Sequence, residues 1–124
     1  MIDNLAVLAP AVAAGGAAGA LLRWLVMRAG GTAGFTAGLL FVNLGGSLAL
    51  GIILALSWSS EAWLVVAIAF TGGLTTFSTL MVDIVQSART GKWTAAVATG
   101  VVHLAGGALL CGVGHLAVSA LVAA

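Results

Sequence analysis

Apolar residues run along this chain in four long blocks, with short breaks between them that carry most of the charge. A helix needs about 20 apolar residues to cross the hydrocarbon of a bilayer. The blocks therefore predict four transmembrane helices, at residues 5–27, 35–58, 62–85 and 94–119. A Gly/Thr loop at 29–34 follows the first, a turn at 57–61 the second and a basic loop at 89–92 the third. Trp58 and Trp63 flank the turn, and tryptophan suits the membrane–water boundary. With no linker or internal repeat in view, residues 1–124 read as one domain, all-α and integral to the membrane. Four helices are too few to wall off a generous aqueous pathway, so an oligomer is expected.

Polar and glycine positions interrupt these blocks at particular places. The first holds Pro10, Gly15, Gly16 and Gly19. Its Gly15/Gly19 pair has the GxxxG spacing that lets another backbone come close. Arg23, near the end of that block, reads as a side chain reaching to the interface. In the second, Asn43 and Ser47 stand four apart and share a helix face, where Asn43 is either glue between helices or a donor lining a path. In the fourth, Thr99, His103, Gly107, Cys111, His115 and Ser119 recur every fourth residue as a stripe turned toward protein or water.

The third block contains GGLTTFST at residues 72–79. Each glycine costs a helix interior about 1 kcal/mol relative to alanine. The helix is expected to break at Gly72–Gly73 and restart near Phe77. Backbone groups freed inside a membrane need protein, ions or cavity water as partners. Such breaks hold ions in transport proteins, and the other reading is a kink where two helices pack closely.

Composition sharpens this. The 124 residues are 62% hydrophobic and 6% charged with a mean hydropathy of +1.25, against about 25% charged in ordinary soluble domains. A net charge of +1 is no match for nucleic acid, which needs clustered Lys and Arg. The lone Cys111 reads as a small buried residue. The opening MIDNLAVLAP has no basic segment, so the first block is expected to be a retained helix. The loops after spans one and three share Arg28, Arg89 and Lys92, with Arg23 nearby, whereas the other side has Asp3 and Glu61 and no Lys or Arg. The positive-inside rule puts both termini outside a cell membrane.

The residue inventory narrows the chemistry. Proton-coupled export of bulky drugs needs an ionisable group deep in the membrane. Asp83 lies near a boundary and Glu61 in a loop, although His103 leaves that class open. Enzyme chemistry finds no nucleophile–base pair, and neither histidine has a second ligand at metal spacing. There remain neutral donors within the spans: Asn43, Ser47, Thr75, Thr76, Ser78 and Thr79. Donors of this kind replace the water shell of a small anion, and the positive edge of a phenylalanine ring adds to them. Carbonyls freed at the break favour a small hard cation instead.

Three segments, GGAAGALLRW at 15–24, VNLGGSLALG at 42–51 and TGGLTTFST at 71–79, resemble the Fluc (CrcB) family of fluoride channels in order and in placement on the spans. The resemblance implies a passive, fluoride-selective channel that lowers cytoplasmic fluoride. It also implies an antiparallel dimer with two pores and a central structural sodium. By the family pattern, Gly72 and Thr75 give carbonyls to the sodium. Asn43, Phe77, Ser78 and Thr79 line the fluoride path, and His103 is a further candidate where tyrosine is common. Arg23 matches the basic residue of span one, and Asp83 a frequent carboxylate. Leu80 departs, standing where the family has a second phenylalanine, and leucine offers no positive ring edge. That loss, with the one-sided charge, suggests half of a heterodimer whose partner has the opposite bias, in preference to a homodimer. Competing with a channel are a small proton-coupled multidrug exporter and a non-conducting assembly subunit.

Overall fold

The computed structural model describes residues 5–29, 35–56 and 60–124, and these form helices and their connections. In order they are α1 (Leu5–Ala29), α2 (Phe35–Ala55), α3 (Glu61–Leu74), α4 (Phe77–Arg89) and α5 (Trp93–Ala123). Taken together, α3 and α4 make one crossing, so among the described residues four stretches are long and apolar enough to span a membrane. Large apolar side chains remain bare on the surface of the single chain, Phe41 at 70% exposure and Leu104 at 79%. Lipid or a second subunit is the natural cover for such a surface. The protein is a multi-pass membrane protein.

Helix α2 is the hub. It packs on each of the other four helices, most extensively on α5, while α1 pairs chiefly with α3. Its Leu39 and Val42 are the largest fully buried side chains. Small residues set these distances. A Cβ on Gly19 would run into the Phe70 carbonyl of α3, and one on Gly51 into the Cys111 carbonyl of α5. Only hydrogen at those positions lets the backbones meet, which is how helices associate where lipid is as apolar as leucine.

The interruption in the third crossing lies further along than the glycine pair suggests. Both Gly72 and Gly73 are helical, and Thr75 and Thr76 are the extended residues. The two glycines do different things. A Cβ on Gly73 would strike the Gly16 carbonyl of α1, whereas Gly72 faces open space. Close packing on α1 offsets the propensity cost of Gly73, so the helix continues. The threonines are better placed to end it. The Thr75 hydroxyl and N–H both donate to the Thr71 carbonyl, closing α3. Thr76 is the N-cap of α4, its hydroxyl accepting from the Thr79 N–H.

Other boundaries move by a few residues. Helix α4 runs six residues past Asp83 to Arg89, and α5 reaches Ala123. Expectations about Trp58, the start of the 57–61 turn and most of the 29–34 loop fall outside the described residues. Among the described loops, the 89–92 connection turns through Gly91 at φ 77°, the left-handed region that suits glycine.

Candidate functional site

Where α3 stops and α4 starts, two helix ends of opposite polarity face each other. The final turn of α3 exposes carbonyls, and the first turn of α4 exposes N–H groups at Phe77 and Ser78. Three side chains from other helices organise this point. Asn43 of α2 spans Thr76 with both ends of its amide: Oδ1 accepts from the Thr76 N–H at 2.8 Å, and Nδ2 donates to the Thr76 carbonyl at 3.1 Å. In a continuous helix that N–H would close on the Gly72 carbonyl, so the Asn43 bond is what frees the carbonyl of Gly72. Arg23 of α1 donates from Nη1 to the Thr75 carbonyl at 2.7 Å. The guanidinium therefore turns inward instead of reaching to the end of α1. Ser47, one turn from Asn43, donates to the Asn43 carbonyl at 2.9 Å.

A cluster of hydroxyls lies just beyond. Thr76 Oγ1 is 3.0 Å from Thr79 Oγ1 and 3.3 Å from Ser78 Oγ. Thr76 thus joins the hydroxyls of Ser78 and Thr79; the sequence reading counted it among the neutral donors without giving it the role of holding the site together. Its signal was present, since a threonine three residues before another polar residue is a capping pattern. Phe77 is 72% exposed, and Ser78 also faces outward.

A cavity of about 500 Å³ opens beside the break. Asn43, Ser47, Thr75, Thr76 and Phe77 line one side, with Leu80, Met81, Gly100, His103 and Leu104 completing it. The structure thus gathers Asn43, Phe77 and His103 around one space together with Leu80, which is buried. Ser78 and Thr79 connect to it through the Thr76 hydroxyl, while Asp83 does not line it. Asp83 is half-buried and makes no hydrogen bond or ion pair among the described residues. Among the described residues no carboxylate borders the cavity.

The stripe on α5 divides. His103 and Gly107 are buried, whereas His115 is exposed. A four-residue spacing drifts about 40° per step around a helix of 3.6 residues per turn. By His115 the stripe has left the α2-facing side, and Gly114 takes over the contact with Leu48.

Donor chemistry at the break suits a hard cation at one end. The Gly72 carbonyl points from a helix C-terminus and has lost its helical donor, and neutral oxygens of this kind serve sodium-like ions. The Thr75 carbonyl keeps one lone pair beside the one that receives Arg23.

These features define a class: helical membrane proteins with a mostly apolar cavity that carries a few neutral polar groups at an interrupted span. A family model described as CrcB-like protein, Camphor Resistance (CrcB), matches residues 10–115, and the chain belongs to that family. It is similar to a protein of Bordetella avium (strain 197N) named fluoride-specific ion channel FluC. The two are 40% identical over 109 residues, 84% of this chain and 86% of the relative. A Yersinia pseudotuberculosis serotype I (strain IP32953) protein named fluoride-specific ion channel FluC 1 is 39% identical over 103 residues, covering 77% of this chain and 81% of the relative. A protein of the same name from Halobacterium salinarum (strain ATCC 700922 / JCM 11081 / NRC-1) is 35% identical over 108 residues, covering 87% of this chain and 91% of the relative.

Proposed function

We propose that this chain is a subunit of a passive, fluoride-selective channel that lets fluoride leave the cytoplasm. The observation that carries this reading is the cavity at the break, lined by Asn43, Ser47, Thr76 and Phe77 and, among the described residues, free of carboxylates. A small anion entering it meets amide and hydroxyl donors, the positive edge of an aromatic ring and the N-terminus of α4. Each donor is neutral, so the ion is bound firmly enough to shed water and loosely enough to leave. The names of the relatives support the same ion.

The conducting form is an antiparallel dimer. Phe77 and Gly72 are both exposed on the single chain, on a surface that a second subunit would cover. The Gly72 and Thr75 carbonyls, with their counterparts from that subunit, hold a structural sodium. The fixed cation stabilises the assembly and raises the potential felt by the anion, and it does not move with it.

A related subunit of opposite charge bias is the favoured partner. The loops after spans one and three carry three basic residues, Arg28, Arg89 and Lys92, against none on the other side, while Arg23 of α1 turns inward to the Thr75 carbonyl. That split directs both termini outside and works against insertion in both directions. The numbered name FluC 1 of two of these relatives accords with paired paralogues.

Fluoride efflux from proteoliposomes tests the channel, comparing wild type with Asn43→Asp and Phe77→Ile. Wild type is expected to release fluoride, alone or with a candidate partner subunit, and both variants to lose most of that flux. No release under either condition overturns the reading.

A further inference from the structure

Helices α4 and α5 turn back on each other through residues 89–92 and leave a groove of about 360 Å³ between them. Ile84 and Ala88 of α4 line it with Ala96, Val97, Gly100 and Val101 of α5. No charged side chain enters it. It shares Gly100 and Leu104 with the cavity at the break, but none of that cavity's polar residues. Gly100 keeps it open, since a Cβ there would stand 3.5 Å from Cδ1 of Ile84.

The dimensions of the groove are those of a lipid chain. Trp93, 66% exposed, stands at one end and Leu104 at the other. Between them α5 rises about 16 Å, which is half of a hydrocarbon core about 30 Å thick. Tryptophan belongs at headgroup level, so the groove runs from the interface to the middle of the bilayer, the depth of one leaflet. Spread over that length, the volume gives a mean cross-section of about 20 Å². One hydrocarbon chain fits such a section, whereas an α-helix about 10 Å across does not.

The mouth of the groove is cationic. Arg89 ends α4 and Lys92 is the N-cap of α5, and both are exposed. The turn that carries them is tied to α4, the Gly91 N–H donating to the Ala88 carbonyl at 3.0 Å and the Lys92 N–H to the Ser87 carbonyl at 2.9 Å. Ala88 and Trp93 line the groove, so their neighbours Arg89 and Lys92 stand at its end. Among the described residues neither cation makes an ion pair. Asp83, the carboxylate of α4, lies six residues deeper than Arg89 and does not line the groove.

We propose that this groove binds an anionic phospholipid, one acyl chain lying between α4 and α5 and the phosphate resting on Arg89 and Lys92. An apolar groove by itself accepts any lipid. Basic side chains at the membrane surface select the anionic ones, and a guanidinium holds phosphate through paired N–H donors. The site rests on the membrane fold and is independent of which ion the channel conducts.

The full chain is reconstituted into phosphatidylcholine bilayers that contain a small fraction of probe lipid, either phosphatidylglycerol or phosphatidylcholine, with a photoactivatable diazirine in one acyl chain. Labelled residues are mapped by peptide mass spectrometry. The phosphatidylglycerol probe is expected to label the stretch around Val97 and Val101 on the order of tenfold more than the phosphatidylcholine probe, through the attraction of two cations. Arg89→Gln combined with Lys92→Gln should bring the two probes level. Val101→Trp, which fills the groove, should lower labelling at Val97 by phosphatidylglycerol. Thermal melting checks that each variant is folded, and the wild-type comparison needs no substitution. Equal labelling by the two probes in wild type means an ordinary lipid coat and overturns the site. Labelling elsewhere on the chain with none in the groove means that a second subunit covers it, which overturns the site as well. A preference that survives the loss of both cations overturns the phosphate contact.

Discussion

Asn43 holds two backbone bonds to Thr76 and still borders the cavity, so one amide both builds the break and faces the ion. One Nδ2 hydrogen remains after the bond to the Thr76 carbonyl. Replacing Asn43 by Leu removes both bonds and leaves a half-buried N–H and carbonyl of Thr76 unpaired, a loss of about 1–3 kcal/mol. Thermal unfolding of the detergent-solubilised protein should show that loss even where no flux is measured. Arg23 behaves similarly. Its bond to Thr75 is charge-assisted, and Arg23→Met is expected to cost about 1.5–3 kcal/mol in the same measurement. Sequence pattern placed Asn43 at a helix interface correctly but could not separate glue from donor. It had Arg23 reaching for the interface, because the carbonyl that draws it inward lies 52 residues away.

At the scale of elements, the glycine pair separates two effects that sequence alone had merged. Gly73 serves the α1 contact and Gly72 faces outward. Gly73→Ala must push α1 and α3 apart against backbone atoms, a strain of about 1–3 kcal/mol. Gly72→Ala meets nothing within the chain and gains helix propensity of about 1 kcal/mol. The chain's own melting temperature should therefore fall with the first and not with the second. Any effect of Gly72→Ala should appear only in the association of subunits, read by cross-linking or size-exclusion chromatography. The resting place of the break was not legible from propensity, since it depends on what α1 and α2 present to α3. A rule assigning the break to the glycines overlooked that threonine hydroxyls can end one helix and start the next.

For the molecule as a whole, the bare apolar surface and the one-sided charge bear on how copies assemble. Expressed alone, the chain should insert in one orientation, with accessibility tags at both termini reporting the outer side. Equal labelling from both sides would argue for self-pairing. Replacing sodium with a bulky organic cation should weaken the dimer, measured as its melting or dissociation, while flux should not scale with a sodium gradient. Both outcomes belong to the assembly, because one chain supplies only the Gly72 and Thr75 carbonyls at the proposed cation site.

Four crossings, their order and the greater part of their lengths could be read directly from the residues, because burying a backbone in hydrocarbon demands long apolar helical stretches and leaves few alternatives. The neutral donors were legible for the same reason, since any polar group retained inside such a helix stands out. Which donors meet around one cavity was settled only by the fold. Asn43, Thr76 and His103 come from three helices and are spaced far apart along the chain. Their meeting rests on glycine contacts that set helix separation to within an atom's width. Among the described residues the buried Nε2 of His103 finds no partner, likewise a property of its surroundings. Residue spacing places a histidine on a face, and only packing decides whether its second nitrogen finds a partner.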